Sequence, residues 1–301
     1  MLRSILLAIA LLLVQTTVWA GSVMLAQARA DGPYGEFATV LRDVLDGTPW
    51  KLTSAVGNEA INTAVEERPD IIVTTGTEAL KQVLSRGGSG TIIATLLPRQ
   101  NYEKLVAEFS PLRFKITAIY LDQPPARQAA FLRSLLPAKK KVGLLVSQET
   151  RSIAKTFRQP LAAAGWHMDS EDSDSENALL PALNALLPRV DALLAIPDSN
   201  IYRRENIKAI LITSYRHQRP IIAFSPAFVT AGALAAIYST PAQIARQTGS
   251  QILTTGTTLA APGGPSQFAI SINFNVAEAL GLDVADEATI RRAILADKEP
   301  K

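Results

Sequence analysis

The sequence has no cysteine and only 2 histidines among 301 residues. Without thiols there is no disulfide framework, thiolate zinc site or cysteine nucleophile, and no cysteine to carry a lipid. His167 and His217 are too few for a histidine metal centre. An excess of one charge is also missing: 30 Lys and Arg stand against 27 Asp and Glu, so nothing in the balance argues for a nucleic-acid partner. Catalytic signatures are absent as well: no Gly-x-Ser-x-Gly elbow, no Walker loop and no dinucleotide-binding glycine fingerprint. The glycine-rich RGGSG (86–90) precedes a strand, the wrong side for a phosphate loop. The acidic DSEDSDSE (169–176) lacks the glycine and terminal glutamate of a calcium loop and reads as a solvated loop. Lys139, Lys140 and Lys141 read as a solvated lobe edge.

What is present is apolar: 48% of residues belong to the hydrophobic set, which excludes disorder. One long apolar stretch stands at residues 1–20, with Arg3 ahead of a run from Ile5 to Val14 and small or neutral residues closing on Ala20. That is the pattern of a secretory signal peptide cut at Ala20/Gly21; cuts at Ala28 or Ala30 and an uncleaved anchor are the alternatives. No later stretch nears the roughly 20 apolar residues needed to span a bilayer. The reading is an exported, periplasmic chain with no lipid-bearing cysteine and no stable membrane insertion after cleavage.

From residue 22 onward, short aliphatic or β-branched runs alternate with amphipathic helical stretches. SVMLAQ (22–27), WKLTSA (50–55), DIIVTT (70–75), TIIATL (91–96) and ITAIYL (116–121) form one set; VGLLVS (142–147), GWHM (165–168), ALLAI (192–196), PIIAFS (220–225) and LAAIYS (234–239) form a second. Phe37, Val40, Leu41 and Val44 show the i, i+3, i+4, i+7 spacing of a helix face, with Gly47 as a stop. Further helices are read at 204–216, 241–255 and 286–296, before and after a last strand FAISINF. Continuous apolar strands with intervening helices mean an α/β fold of two doubly wound, Rossmann-like parallel-sheet lobes. A helix opened by Pro124 and Pro125 is the crossover between them.

In open parallel sheets ligands bind beyond the carboxyl ends of the strands. The candidate ligand-binding residues are therefore those at strand ends: Tyr34, Thr75 and Thr77 in the first half, and Ser147, Gln148, Asp198, Asn200 and Ser225 in the second. Gly76 permits a tight turn and Thr77 can cap the helix that follows, leaving free N–H groups for a ligand. Asp198 is a candidate partner for a ligand ammonium, with capping of its own turn as the alternative. Ser225 followed by Pro226 marks a helix start. No nucleophile, paired acid and base, or metal set converges, so neither an enzyme nor a cofactor is expected.

The second half resembles a known family. KKVGLLVS, DALLAIPDSN, RPIIAFSPAFVTAGALAAI, TPAQIARQTGSQILTTG and ISINFNVAEALGL are similar to ABC-transporter substrate-binding proteins, the family that includes tryptophan and tyrosine binders. The likeness covers residues 116–283, and the run Asn275, Ala277 or Ala279, Leu280, Gly281, Leu282 is its most specific ending. It implies a type I periplasmic-binding-protein fold with three crossovers, helix 241–255 returning to the first lobe and the final strand to the second. The lobes would be 21–122 plus about 240–260, and 123–239 plus about 261–301. It also implies a small-molecule ligand, amino-acid-like among the options, and an ABC permease as partner; a membrane sensor is the alternative. The chain departs from the family's Gly-Gly-Asn-x-Thr-Gly stretch, where it has SPLRFKITAIYLDQP with Asp122 and Gln123, and LLPRQNY stands where an apolar-to-glycine turn is usual.

Overall fold

The computed structural model describes residues 21–88 and 90–297, so the export segment read at 1–20 lies outside the described residues. The first five runs form a wholly parallel sheet of β1 (Gly21–Gln27), β2 (Trp50–Val56), β3 (Ile71–Thr75), β4 (Thr91–Thr95) and β5 (Lys115–Ile119), ordered β2-β1-β3-β4-β5. The second sheet contains β6 (Lys141–Val146), β7 (His167–Asp172), β8 (Ala192–Leu194), β9 (Ile221–Ala223), β10 (Ala235–Tyr238) and β11 (Ala269–Ile272). Its order β7-β6-β8-β9-β10 repeats the first sheet, with β11 added antiparallel at the edge. Each order reverses beside its first strand, the switch point at which such sheets open a crevice.

The helices are α1 (Gly32–Leu45), α2 (Asn58–Glu66), α3 (Gly76–Ser85), α4 (Arg99–Glu108), α5 (Pro125–Leu135), α6 (Arg151–Lys155), α7 (Arg158–Ala163), α8 (Leu179–Leu186), α9 (Arg204–Arg216), α10 (Pro226–Ala231), α11 (Pro241–Thr255), α12 (Phe274–Ala279) and α13 (Glu287–Ala296). Among the described residues no helix is long and apolar enough to cross a membrane. The continuous apolar strands feed two cores at once because successive side chains point to opposite faces. Met24 and Ala26 of β1 join one core with Ile72, while Val23 and Leu25 join another with Ile71 and Val73. The second sheet divides likewise, Val142, Leu144 and Val146 to one side and Leu145 to the other.

Helix α11 follows a strand of the second sheet and precedes another, yet packs on the first. Ile244, Ala245 and Ile252 enter the core of Phe37, Leu41 and Leu45. Gly249 makes this approach possible: a Cβ there would stand 2.4 Å from Val44 Cγ1. The chain thus crosses between the sheets three times, and the crossovers are bound together. Tyr120 N donates to Gly263 O at 2.8 Å and Gly263 N to Ala118 O at 3.0 Å. Gln123 Nε2 donates to Ser239 Oγ at 2.8 Å, and the buried Arg127 donates to Gln123 Oε1 at 2.9 Å and Pro265 O at 2.7 Å. The hinge is a hydrogen-bonded bundle of three strands of chain.

One local reading is corrected. The first four residues of the acidic run 169–176 are strand, because β7 continues to Asp172 in parallel register with β6. Their charge guards an exposed sheet edge. Asp169 and Glu171, two apart and so on one face, share Arg189 at 2.9 and 2.6 Å, while Arg151 reaches Asp172 and Asp174.

Candidate functional site

The carboxyl ends of both sheets face the space between the lobes, but their polar groups are used differently. In the second lobe, β6 and β8 are neighbours, which brings Ser147 and Thr150 to Asp198 from about fifty residues away in sequence. Asp198 Oδ2 accepts from Ser147 Oγ at 2.7 Å, Thr150 Oγ1 at 2.6 Å and Ser147 N at 3.3 Å. Its Oδ1 accepts from the N–H groups of Asn200 at 2.9 Å and Ile201 at 3.1 Å. Asp198 is buried, as are Ser147 and Thr150. Five donors occupy both carboxylate oxygens, so Asp198 clamps two strand ends and caps its own turn, in place of the ammonium partner read from sequence. Ser225 is a helix cap, its Oγ accepting from Phe228 N at 3.3 Å.

In the first lobe, Gly76 begins α3 with φ +80°, a conformation that favours glycine. The Tyr34 hydroxyl lies over it, 2.7 Å from where a Cβ would stand. Tyr34 is fixed through its backbone oxygen, which accepts from Gln27 Nε2 at 2.8 Å. Thr75 ends β3 with its hydroxyl buried and without a partner among the described residues. Thr77 is inside α3 and does not cap it; its Oγ1 accepts from Asn101 Nδ2 at 3.0 Å. Tyr34, Thr75 and Thr77 therefore gather at the end of β3, and Thr77 is linked to α4 through Asn101.

A cavity of about 490 Å³ lies between the lobes. Gln100, Asn101, Glu103 and Lys104 of α4 line one side, and Gln148, Glu149, Asp174 and Asn200 of the second lobe the other. Gln100 is only 7% exposed, and its Oε1 has no hydrogen-bond partner among the described residues. A buried acceptor left unmade is costly, so such a group calls for an explanation. Lys104 Nζ stands 3.7 Å from Glu149 Oε1 across the gap between the lobes, and Ser199 Oγ donates to Glu149 Oε2 at 2.6 Å within the second lobe. Of the residues chosen from sequence, Gln148 and Asn200 line this cavity. The α4 group was missed, because RQNYEK reads as a solvated helix face. The available signal was the end of β4, a strand end like the others. There Leu96, buried at 8% exposure, takes φ +54° where a glycine turn is usual; left-handed backbone in a bulky residue is strained and clusters at functional sites.

A second, smaller cavity of about 260 Å³ lies at the hinge. Arg99, Tyr120 and Asp122 line it from the first lobe and crossover, and Ile153, Phe157 and Ile196 from the second lobe. Pro98, at the cap position of α4, has no side-chain acceptor, and Asp122 Oδ2 accepts from Arg99 N at 2.7 Å in its place. Burial pushes the Asp122 carboxyl up to about 6, against the opposing pull of the Arg99 N–H and guanidinium. Arg99 Nε donates to Glu103 Oε1 at 2.7 Å, joining the walls of the two cavities.

The profile of the family described as ABC transporter substrate binding protein matches residues 49–287. Among solved structures, a domain from Streptococcus pneumonia in complex with L-Trp aligns at 17% identity and TM-score 0.59, over 90% of this chain and 97% of that one. A conserved domain protein from Vibrio cholerae aligns at 18% identity and TM-score 0.61, over 91% and 98%. The ligand-free, open structure of a substrate binding protein with adhesive properties from Clostridium difficile aligns at 13% identity and TM-score 0.65, over 89% and 97%. These likenesses show the type I periplasmic-binding fold. No match was found among curated proteins.

Proposed function

Because this chain belongs to the ABC transporter substrate-binding protein family, we propose that it is an exported, periplasmic protein that captures a small polar solute between its lobes and presents it to an ABC permease. The observation that carries this reading is the lining of the 490 Å³ cavity, where every residue is polar or charged and each lobe supplies half. That volume suits a small molecule. Four of the lining side chains, Gln100, Asn101, Gln148 and Asn200, are amides, which both donate and accept and so suit hydroxyl, amino or carboxylate groups.

The unpartnered Gln100 Oε1 is the acceptor for a ligand donor. Thr77 holds the lining residue Asn101 through its Oγ1. Ser147 and Asp198 act as positioning residues that hold the loops carrying Gln148 and Asn200. The L-Trp held by the Streptococcus structure supports an amino-acid-like solute. Because the lining comes from two lobes joined at a hinge, closure assembles the site and opening releases the solute.

Native mass spectrometry of the purified protein tests this reading. A small-molecule adduct is expected, released on denaturation and lost in the double variant Gln100→Ala, Asn200→Ala. An adduct of unchanged occupancy in that variant would overturn the site.

A further inference from the structure

A groove of about 650 Å³ lies away from the space between the lobes. It sits at the amino ends of β3, β4 and β5, where Asp70, Thr91 and Lys115 stand at or just before the starts of neighbouring strands. Because these strands are parallel, this is the end of the first lobe opposite the carboxyl ends that face the second. Arg68, Arg113 and Lys115 line the groove and are exposed, and none of them makes an ion pair or side-chain hydrogen bond among the described residues. The one carboxylate in the lining is already engaged. Asp70 Oδ2 accepts from Ser22 N and Ser22 Oγ, both at 2.8 Å, and these bonds hold its carboxyl below the usual carboxylate range. Three cations against one carboxylate leave an excess of two positive charges.

The floor of the groove is held by the backbone. Thr91 N donates to Asp70 O at 3.0 Å, and Thr91 Oγ1 to Thr257 O at 3.2 Å, just past the end of α11. Arg68 is the informative residue on the rim. It stands just past α2 at φ +52°, a position and conformation where glycine is usual and a side chain carries strain. The chain bears that strain and gains a guanidinium at the groove. Like charges gathered without partners repel one another, and a bound anion relieves this. The planar fork of arginine matches phosphate oxygens in pairs. We propose that this groove is a second binding site, for a phosphate-bearing ligand, with Arg68 and Arg113 donating to the phosphate oxygens, Lys115 supplying a third positive charge and the half-buried Phe114 flanking the remainder. The site is separate from the interlobe cavity and does not rest on the reading of solute capture.

Isothermal titration calorimetry with pyrophosphate at pH 7.5 in 100 mM NaCl tests the proposal, and co-sedimentation with vesicles containing phosphatidylglycerol separates a lipid headgroup from a free phosphate. Saturable binding is expected, weakened about tenfold or more in Arg113→Gln and in Arg68→Gly. Arg68→Gly is the sharper variant: relief of the left-handed strain should leave its urea midpoint at or above that of the unaltered protein while its affinity falls. Lys140→Gln removes the same charge from an exposed position in the second lobe and should change affinity by less than about twofold, because charges farther away than about 10 Å are screened at this salt. Pyrophosphate binding without vesicle binding assigns the site to a free phosphate compound, and vesicle binding lost in the same two variants assigns it to a lipid headgroup. Absence of binding by both probes, binding that survives in folded Arg68→Gly and Arg113→Gln, or equal weakening in Lys140→Gln would overturn the proposal.

Discussion

The two lobes present the same strand order to the space between them, yet they spend their polar strand ends in opposite ways. In the second lobe Asp198 takes five donors, and Ser147 and Thr150 are consumed by it. In the first lobe Thr74, Thr75 and Gln100 keep side-chain oxygens that are buried and unpartnered among the described residues, against one near the strand ends of the second, the Tyr202 hydroxyl. A polar residue at a strand end is thus no guide to ligand contact until its hydrogen bonds are accounted for. The second lobe has built a rigid edge that presents the amides of Gln148 and Asn200, and the first has kept its hydrogen-bonding capacity in reserve.

The largest expected effect tests the rigid side. Asp198→Ala strips partners from two buried hydroxyls and three N–H groups, and should cost roughly 3–5 kcal/mol in urea unfolding. A loss under about 1 kcal/mol would mean that the clamp contributes little and that the lobes are alike.

The next concerns the carboxylate at the hinge. The folded-state midpoint of Asp122 lies above its ordinary value of 3.8, so its stabilising protonated form is lost as pH rises through about 6. Asp122→Asn should therefore be more stable than the unaltered chain by roughly 2–3 kcal/mol at pH 7.5 and no more stable at pH 3.5. Urea midpoints at the two pH values measure this, and a gain that is independent of pH would contradict it.

A smaller effect belongs to the second lobe. Ser225→Ala should cost about 1 kcal/mol through the lost cap of α10, with solute occupancy unchanged. A lost adduct in a folded variant would return Ser225 to the binding surface.

Most of the architecture was legible because buried parallel strands write themselves as aliphatic runs: DIIVTT and TIIATL lie within one residue of β3 and β4. β7 was legible only at its start, in GWHM (165–168), because the charged remainder of this edge strand looks like a loop until Arg189 and Arg151 are placed beside it. The site was legible only in outline. Gln148 and Asn200 follow from the rule that ligands gather at strand ends. The Asp198 clamp joins partners some fifty residues apart, and no local pattern records which side chains meet across adjacent strands. Gln100 and Asn101 were hidden because a helix that faces a cleft and one that faces solvent have the same composition. Asp122 stood out only as a departure from the family's stretch; its role as cap for a helix begun by Pro98 needed the fold.

The most direct test of the central claim, that solute recognition rests on the reserve held by the first lobe, compares two single variants in native mass spectrometry. Gln100→Ala removes the orphaned acceptor and should leave stability within about 1 kcal/mol, since no internal hydrogen bond is lost. The account expects the co-purified solute to be depleted by about tenfold or more in Gln100→Ala, against a loss of a few-fold in Asn200→Ala. Equal retention in Gln100→Ala and the unaltered protein, with loss confined to Asn200→Ala, would contradict it and move recognition to the second lobe.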